Sequence, residues 1–282
     1  MMVERGGWRV RTIRLWLPLG VYMIFTLFPF YWMAVTSVKP NSELYNRKIM
    51  PLLVYHPTFK HYVDLLTETN FMVWTWNTLL VSAISTAISL VFGVMLAYPL
   101  ARMRFAGSAL IAFGVAATYL VPQPLLFIPL ADIIYSLGLN DTLTSVILTY
   151  PTLLIPFCAW LLMGYFRSVP HELEDAARID GATRLQTMFK VFLPLCTPGF
   201  ISAGIFAFTL AQNEFLYALI FLTQTDVRTV PVGAIAELVK GDVFYWGQLM
   251  AAALLGSVPV AIIYSFFVEH YVAGLTAGAV KQ

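Results

Sequence analysis

The side chain with the most chemical reach in this sequence is Glu214, in the run Gln212-Asn213-Glu214 within a long apolar stretch. Ionisable groups at membrane depth are expensive to keep and are read first as functional. At about 1.5 Å per residue, Glu214 falls roughly two-thirds of the way out along its helix. Two roles stay open for it. It can form a polar gate at the outer mouth of a path, together with Gln212 and Asn213. It can also be a structural carboxyl bonded to a neighbour. Either role requires a partner group, on another helix or on another subunit, because an unpaired buried charge costs several kcal/mol. The other acids near apolar stretches, Asp132 and Glu269 (beside His270), sit at their ends. A proton- or ion-coupled carrier would need a longer acidic or histidine relay. The neutral inventory suits an uncharged, hydroxyl-rich cargo with coupling energy supplied from elsewhere.

Other chemistries find little support. The four histidines lie in loops or at helix ends. There is no HExxH, no GxSxG and no paired intramembrane carboxylate, so no catalytic residue and no metal site is assigned. Without GxxxxGK[ST] the chain cannot hold a nucleotide by a P-loop. Cys158 and Cys196 stand in apolar surroundings without CxxC spacing and read as small buried hydrophobes. Thr78, Ser82, Ser85, Thr86 and Ser89, followed by Gly93, fall on one helix face, for close helix packing or for lining a path. Pro122-Gln123-Pro124 and Pro129 break a helix in mid-membrane. The freed carbonyls there must face protein or water, which makes Gln123 a second path residue or part of a plain kink.

The elements that position these groups are membrane helices. Of 282 residues, 59% are hydrophobic and 11% charged, with a mean hydropathy of +0.76. An average soluble protein carries roughly 25% charged residues, so this composition cannot make a soluble surface. A net charge of +2, without clustered basic residues, gives no case for nucleic acid. Apolar stretches long enough to span occur at 15–38, 77–101, 109–135, 143–166, 195–222 and 249–271. The first is too long, and lacks the exit, for a signal peptide. With the N-terminus in the cytoplasm, eleven Lys and Arg fall inside and six outside, so both termini are expected inside. The outer segments are then 39–76, 136–142 and 223–248, and the inner ones 102–108 and 167–194. No internal repeat is apparent, which counts against many secondary-transporter folds.

The longer inner segment has its own grammar. Ser168 can cap a short helix, Pro170 suits its first turn, and acids favour its positive end. Gly181 can take the left-handed stop. A second helix follows, with Thr183 and Gln186 at capping-box spacing, ending at Leu193-Pro194. Leu173, Ala176, Ala177 and Ile179 make the first helix a rigid knob on the cytoplasmic face, fit for docking.

Asp175-Ala176-Ala177-x-x-x-Gly181, then nine residues, then Val191-x-Leu193-Pro194 resembles the EAA loop of ABC-importer permeases. Glu174 through Ala182 looks like the carbohydrate branch, the MalG-type permease subunits. Thr36-Ser37-x-Lys39-Pro40, Asn213-Glu214-Phe215-Leu216, Pro231-Val232-Gly233 and the tail from Gly274 to Lys281 extend the likeness over nearly the whole chain. Asp175 and Val191 depart mildly from the usual Glu and Ile.

The resemblance implies an all-α polytopic membrane protein of six transmembrane helices, with a type I importer (MetI-like) core. Residues 1–76 would form an N-terminal arm, first helix and outer loop, 77–271 the permease core, and 272–282 a cytoplasmic tail. It implies four kinds of partner: a second, MalF-like permease, two cytoplasmic ABC ATPases, an extracellular or periplasmic solute-binding protein, and membrane lipid. ATP and Mg would be bound by the ATPases, and this chain would carry no cofactor. Glu174, Asp175, Ala176, Ala177, Asp180, Gly181 and Pro194 would dock on an ATPase, and Thr276, Gly278 and Lys281 would contact the ATPase dimer from the tail. Gln123, Gln212, Asn213 and Glu214 stand as path or outer-gate residues, and 223–248 as the loop that meets the binding protein. The expected function is import of a sugar or oligosaccharide across the cytoplasmic membrane. Alternatives are the same build carrying glycerol, a polyol or a glycerophosphodiester, a stand-alone channel, or an intramembrane enzyme, for which the sequence offers no reactive pair.

Overall fold

The computed structural model describes residues 12–279, with side chains described from Arg14 to Val268. Helices account for most of it. Among the described residues, four are long and apolar enough to cross a membrane, and six spans result if each of two bent pairs counts as one. The chain divides into two compact units. A smaller one combines the stretch ending at Thr69 with Ala236–Ser257, and a larger one combines Asn70–Ile235 with the stretch from Val258.

The smaller unit contains α1 (Leu17–Val38), whose apolar face is largely exposed, and α2 (Lys60–Glu68). Its polar interior explains the Thr36-Ser37-x-Lys39-Pro40 string. The Ser37 and Tyr62 hydroxyls share a 2.8 Å hydrogen bond. Lys39 is buried and its Nζ donates to the carbonyls of Met50 and Pro51 at 3.2 and 2.6 Å. Glu43, also buried, accepts from the amides of Tyr55 and His56 and pairs with the His56 ring. Burial alone would raise its pKa, but those amides and the ring hold it below the usual carboxylate value.

In the larger unit, α3 (Phe71–Arg102) is the central element. The expected polar stripe is entirely buried along it, and none of those residues lines the cavity described below. In this structure the stripe packs inside the core. α3 lies against the later helices α7 (Pro151–Ser168) and α10 (Thr197–Gln212). A Cβ built on Gly93 would stand 2.8 Å from the Cys158 Cβ, so α3 and α7 approach almost backbone to backbone. Cys158 and Cys196 are both buried and free.

Two of the expected spans are broken. The third consists of α4 (Ser108–Tyr119) and α5 (Gln123–Ser136), bent by 95°. Pro122 stands at the N-cap of α5 and Pro124 in its first turn, where a missing N–H does no harm. After α6 (Leu143–Thr149) and α7 come the cytoplasmic helices α8 (His171–Ile179) and α9 (Arg184–Thr187). The fifth span does not run unbroken over 195–222. Arg184–Leu195 meets α10 at 80° across Cys196, where Thr197-Pro198 starts a new helix. α10 stops at Gln212, and the chain restarts as α11 (Leu216–Phe221). The segment expected as an outer loop holds α12 (Val230–Leu238) and a hairpin of β1 (Val239–Lys240) and β2 (Val243–Phe244), which composition did not foretell. α13 (Trp246–Ala279) closes the described chain.

Candidate functional site

The break between α10 and α11 brings together polar residues from several helices. A cavity of about 550 Å³ lies there, lined by Gln123 from the start of α5, Tyr150 and Thr152 near the start of α7, Thr209 from α10, and Asn213 and Glu214 from the break. Tyr119, Leu153, Leu154 and Leu210 supply apolar and aromatic wall. The structure thus brings Gln123, Asn213 and Glu214 to one space. Gln212 is half-buried beside them without lining it. Tyr150 was missed because a tyrosine before a proline in an apolar run looks like any interfacial aromatic.

Glu214 is buried, and its carboxylate is tied to its own chain. Oε1 accepts from the Tyr217 amide at 2.9 Å and Oε2 from the Ala218 amide at 3.2 Å. Those are amides of the first turn of α11, which no intrahelical carbonyl can satisfy. A carboxylate there also meets the positive end of the helix. Two backbone amides three and four residues away are thus partners of this carboxylate within its own chain segment. The Tyr150 ring, 1% exposed, lines the same cavity. Among the described residues, no Lys, Arg or His lines it.

Outside the spans, Asp141 clasps the segment following α11. It has φ +50° and accepts from the Thr223 hydroxyl at 2.7 Å and from the amides of Thr223 and Gln224. The Thr223 hydroxyl is the largest cause of its lowered pKa. Burial opposes the shift, while the two amides and the Arg228 charge add to it.

The second site is the cytoplasmic knob. α8 begins after Pro170, which offers no side-chain cap, and Ser168 belongs to the end of α7, where its hydroxyl donates to the Tyr165 carbonyl. The expected Ser168 cap is therefore wrong, because α7 runs further than its apolar stretch. The stop is as expected. Gly181 has φ +84°, the Ala182 amide donates to the Ala177 carbonyl and the Gly181 amide to the Arg178 carbonyl, which together make a Schellman motif. Thr183 and Gln186 form the full capping box of α9. Asp175, Ala176, Asp180, Gly181 and Pro194 are exposed, Glu174 and Ala177 partly buried. Leu173, Ile179, Leu185 and Phe189 leave apolar surface open around them. Thr276 and Gly278 lie past the last described side chain, and Lys281 lies outside the described residues.

Among the described residues, no group of His, Cys, Asp or Glu could hold a metal ion. Residues 89–276, most of the chain, match the family of binding-protein-dependent transport system inner membrane components. The chain belongs to that family. It is an inner-membrane permease subunit of an ABC transporter, a transport component and not an enzyme. A sulfoquinovosyl glycerol transport system permease protein, SmoH of Agrobacterium fabrum, is 38% identical over 93% of this chain and 91% of its own. The trehalose/maltose transport system permease protein MalG of Thermococcus litoralis is 34% identical over 92% of each. A crystal structure of a bacterial ABC transporter that imports the acidic polysaccharide alginate superposes with a TM-score of 0.78, covering 93% of this chain and 97% of that one. At 22% identity that likeness speaks to fold alone. The permease thus has the importer fold, with a polar-lined cavity at the α10–α11 break and a helical knob at the segment carrying the EAA motif.

Proposed function

We propose that this permease carries an uncharged sugar or oligosaccharide inward, and that the cavity at the α10–α11 break is part of its path. One observation carries the choice of cargo. Among the described residues, the cavity wall offers amides, hydroxyls and tyrosines, with one carboxylate and no cation. Sugar hydroxyls find both donors and acceptors there, whereas an anion would meet Glu214 with no cation in the wall. The names of similar proteins include both neutral and acidic cargo, so likeness alone does not choose. With the importer reconstituted in liposomes, uptake of maltose or trehalose should exceed that of a uronic-acid disaccharide or sulfoquinovosyl glycerol. Preferential uptake of either anion would overturn the reading.

The working assembly, on this proposal, adds a second MalF-like permease, two ATPases that bind the ATP and Mg, and a solute-binding protein. The chain itself carries no cofactor. Residues 1–76 serve as arm and outer loop, 77–271 as core, and 272–282 as tail, with Thr276, Gly278 and Lys281 against the ATPases. Glu174, Asp175, Ala176, Ala177, Asp180, Gly181 and Pro194 dock the knob on an ATPase, supported by the Gly181 stop, the capping box of α9 and the open apolar surface. Both termini lie in the cytoplasm. The eleven-to-six split of basic residues supports that orientation. Reporters fused at residues 60, 139 and 235 should read outside, and those at 105, 180 and 282 inside. A reporter at 180 that reads outside would reverse the orientation and remove the docking assignment with it.

A further inference from the structure

Arg102 ends α3, and its side chain is 1% exposed. A cation so enclosed is destabilising unless its donors are directed at acceptors. Here every nitrogen has one. Nε donates to Glu174 Oε2 at 3.2 Å, Nη1 to the carbonyls of Phe166 and Val169 at 3.3 and 2.9 Å, and Nη2 to the Pro170 carbonyl at 3.4 Å. The guanidinium lies 4.7 Å from the centre of the Phe192 ring. One turn earlier on α3, Tyr98 packs edge-on against Phe166 and Phe192, which also pack on each other. A single planar fork thus joins the end of α3, the last carbonyls of α7, the Val169-Pro170 link, α8 and the segment after α9.

The chemistry of the fork matters. At the end of α7 the backbone turns extended at Val169, so the Phe166 carbonyl receives the Val169 amide only at 3.4 Å and the last carbonyls have room for a further donor. A guanidinium can fill them and still reach Glu174, while lying flat on an aromatic ring. An ammonium is a point charge and can serve only part of this set. From α8, Glu174 reaches inward with its charged end, and Arg102 is what it reaches.

We infer that Arg102 is the positioning residue that couples α8 to the spanning helices, so that displacement of α8 by an ATPase moves α3 and α7 with it. The inference rests on the docking role proposed for α8. If α8 meets the ATPase, force on it has a rigid way into the core through this one side chain. Arg102 touches neither cargo nor nucleotide in this scheme.

The test uses the complete importer, purified through a tag on this chain, with Asn213→Cys as reporter in the cavity. Labelling of the introduced thiol by a maleimide is followed by mass spectrometry, without nucleotide and after trapping with ATP and vanadate. With Arg102 intact, the labelling rate should change by about tenfold between the two states, a typical coupling between linked sites. In Arg102→Ala the change should fall below about twofold while the ATPases still co-purify, and Arg102→Lys should restore part of it. A residue that merely caps α7 would leave the ratio unchanged, and an unchanged ratio in Arg102→Ala overturns the inference alone. If that variant does not assemble, Glu174→Gln decides, since it removes the ion pair and leaves the carbonyl bonds. A ratio in Glu174→Gln equal to that of the importer carrying Asn213→Cys alone then overturns the inference. If the importer carrying Asn213→Cys alone shows no nucleotide-dependent change, or no ATPase co-purifies with it, the docking role fails first and takes the inference with it.

Discussion

Glu214→Leu should slow uptake by more than about tenfold while the assembled complex is still recovered. Leucine fills similar volume but strands the Tyr217 and Ala218 amides that the carboxylate now holds. Leaving two buried donors unpaired costs about 2–4 kcal/mol. Each 1.4 kcal/mol is about a factor of ten in a local equilibrium, so the first turn of α11 would often be frayed. That turn borders the cavity and leads into the segment clasped by Asp141. Glu214→Gln keeps one acceptor oxygen and replaces the other with a donor that faces an amide. It should fall between the leucine variant and the unsubstituted chain. Initial uptake rates of radiolabelled sugar in proteoliposomes, alongside the yield of complex, measure both effects. Leucine transporting at the normal rate would make the carboxylate neither gate nor strut. Loss of the complex in both variants would assign it to folding alone.

What could be read in the chain, and what could not, follows from how local each determinant is. The knob was legible because helix stops and capping boxes depend on neighbours in sequence. Gly181 has its positive φ and Thr183 and Gln186 bond to each other as their spacing required. The kink at Pro122-Gln123-Pro124 was legible for the same reason, since a proline removes its own donor wherever it stands. The break after Gln212 was not, because Gln212-Asn213-Glu214 fits an unbroken span as a polar face, and only the carboxylate at Glu214 hints at a helix start two residues on. Arg102 counted as one positive charge among eleven. Its acceptors lie on α7 and α8, far along the chain, and nothing in the neighbouring residues announces them. The β1–β2 hairpin escaped notice because two residues per strand cannot show an alternating pattern.

Substitutions at Gly181 should grade coupling by backbone strain alone. A Cβ added there meets nothing within 4 Å, so space is not at issue. Its φ of +84° is what a side chain must tolerate. An L-residue in the left-handed region is strained by about 1 kcal/mol for alanine and more for a β-branched side chain, while asparagine tolerates it best. The expected order of damage is therefore Asn, then Ala, then Val. Valine should relieve its strain by opening the Ala182-to-Ala177 and Gly181-to-Arg178 bonds, which fix the end of α8. The knob would then meet its ATPase with a frayed end and a misplaced Ala176-Ala177 face. ATP hydrolysis stimulated by the loaded binding protein should drop about tenfold or more in Gly181→Val, since strain of about 2 kcal/mol is more than a decade in population. The spans should still insert, because none of their contacts involves this loop's φ. Measuring stimulated hydrolysis and ATPase co-purification across the three variants separates strain from contact. If Asn, Ala and Val all behave alike, the left-handed stop plays no part in coupling, and the docking surface must be sought elsewhere on the cytoplasmic face.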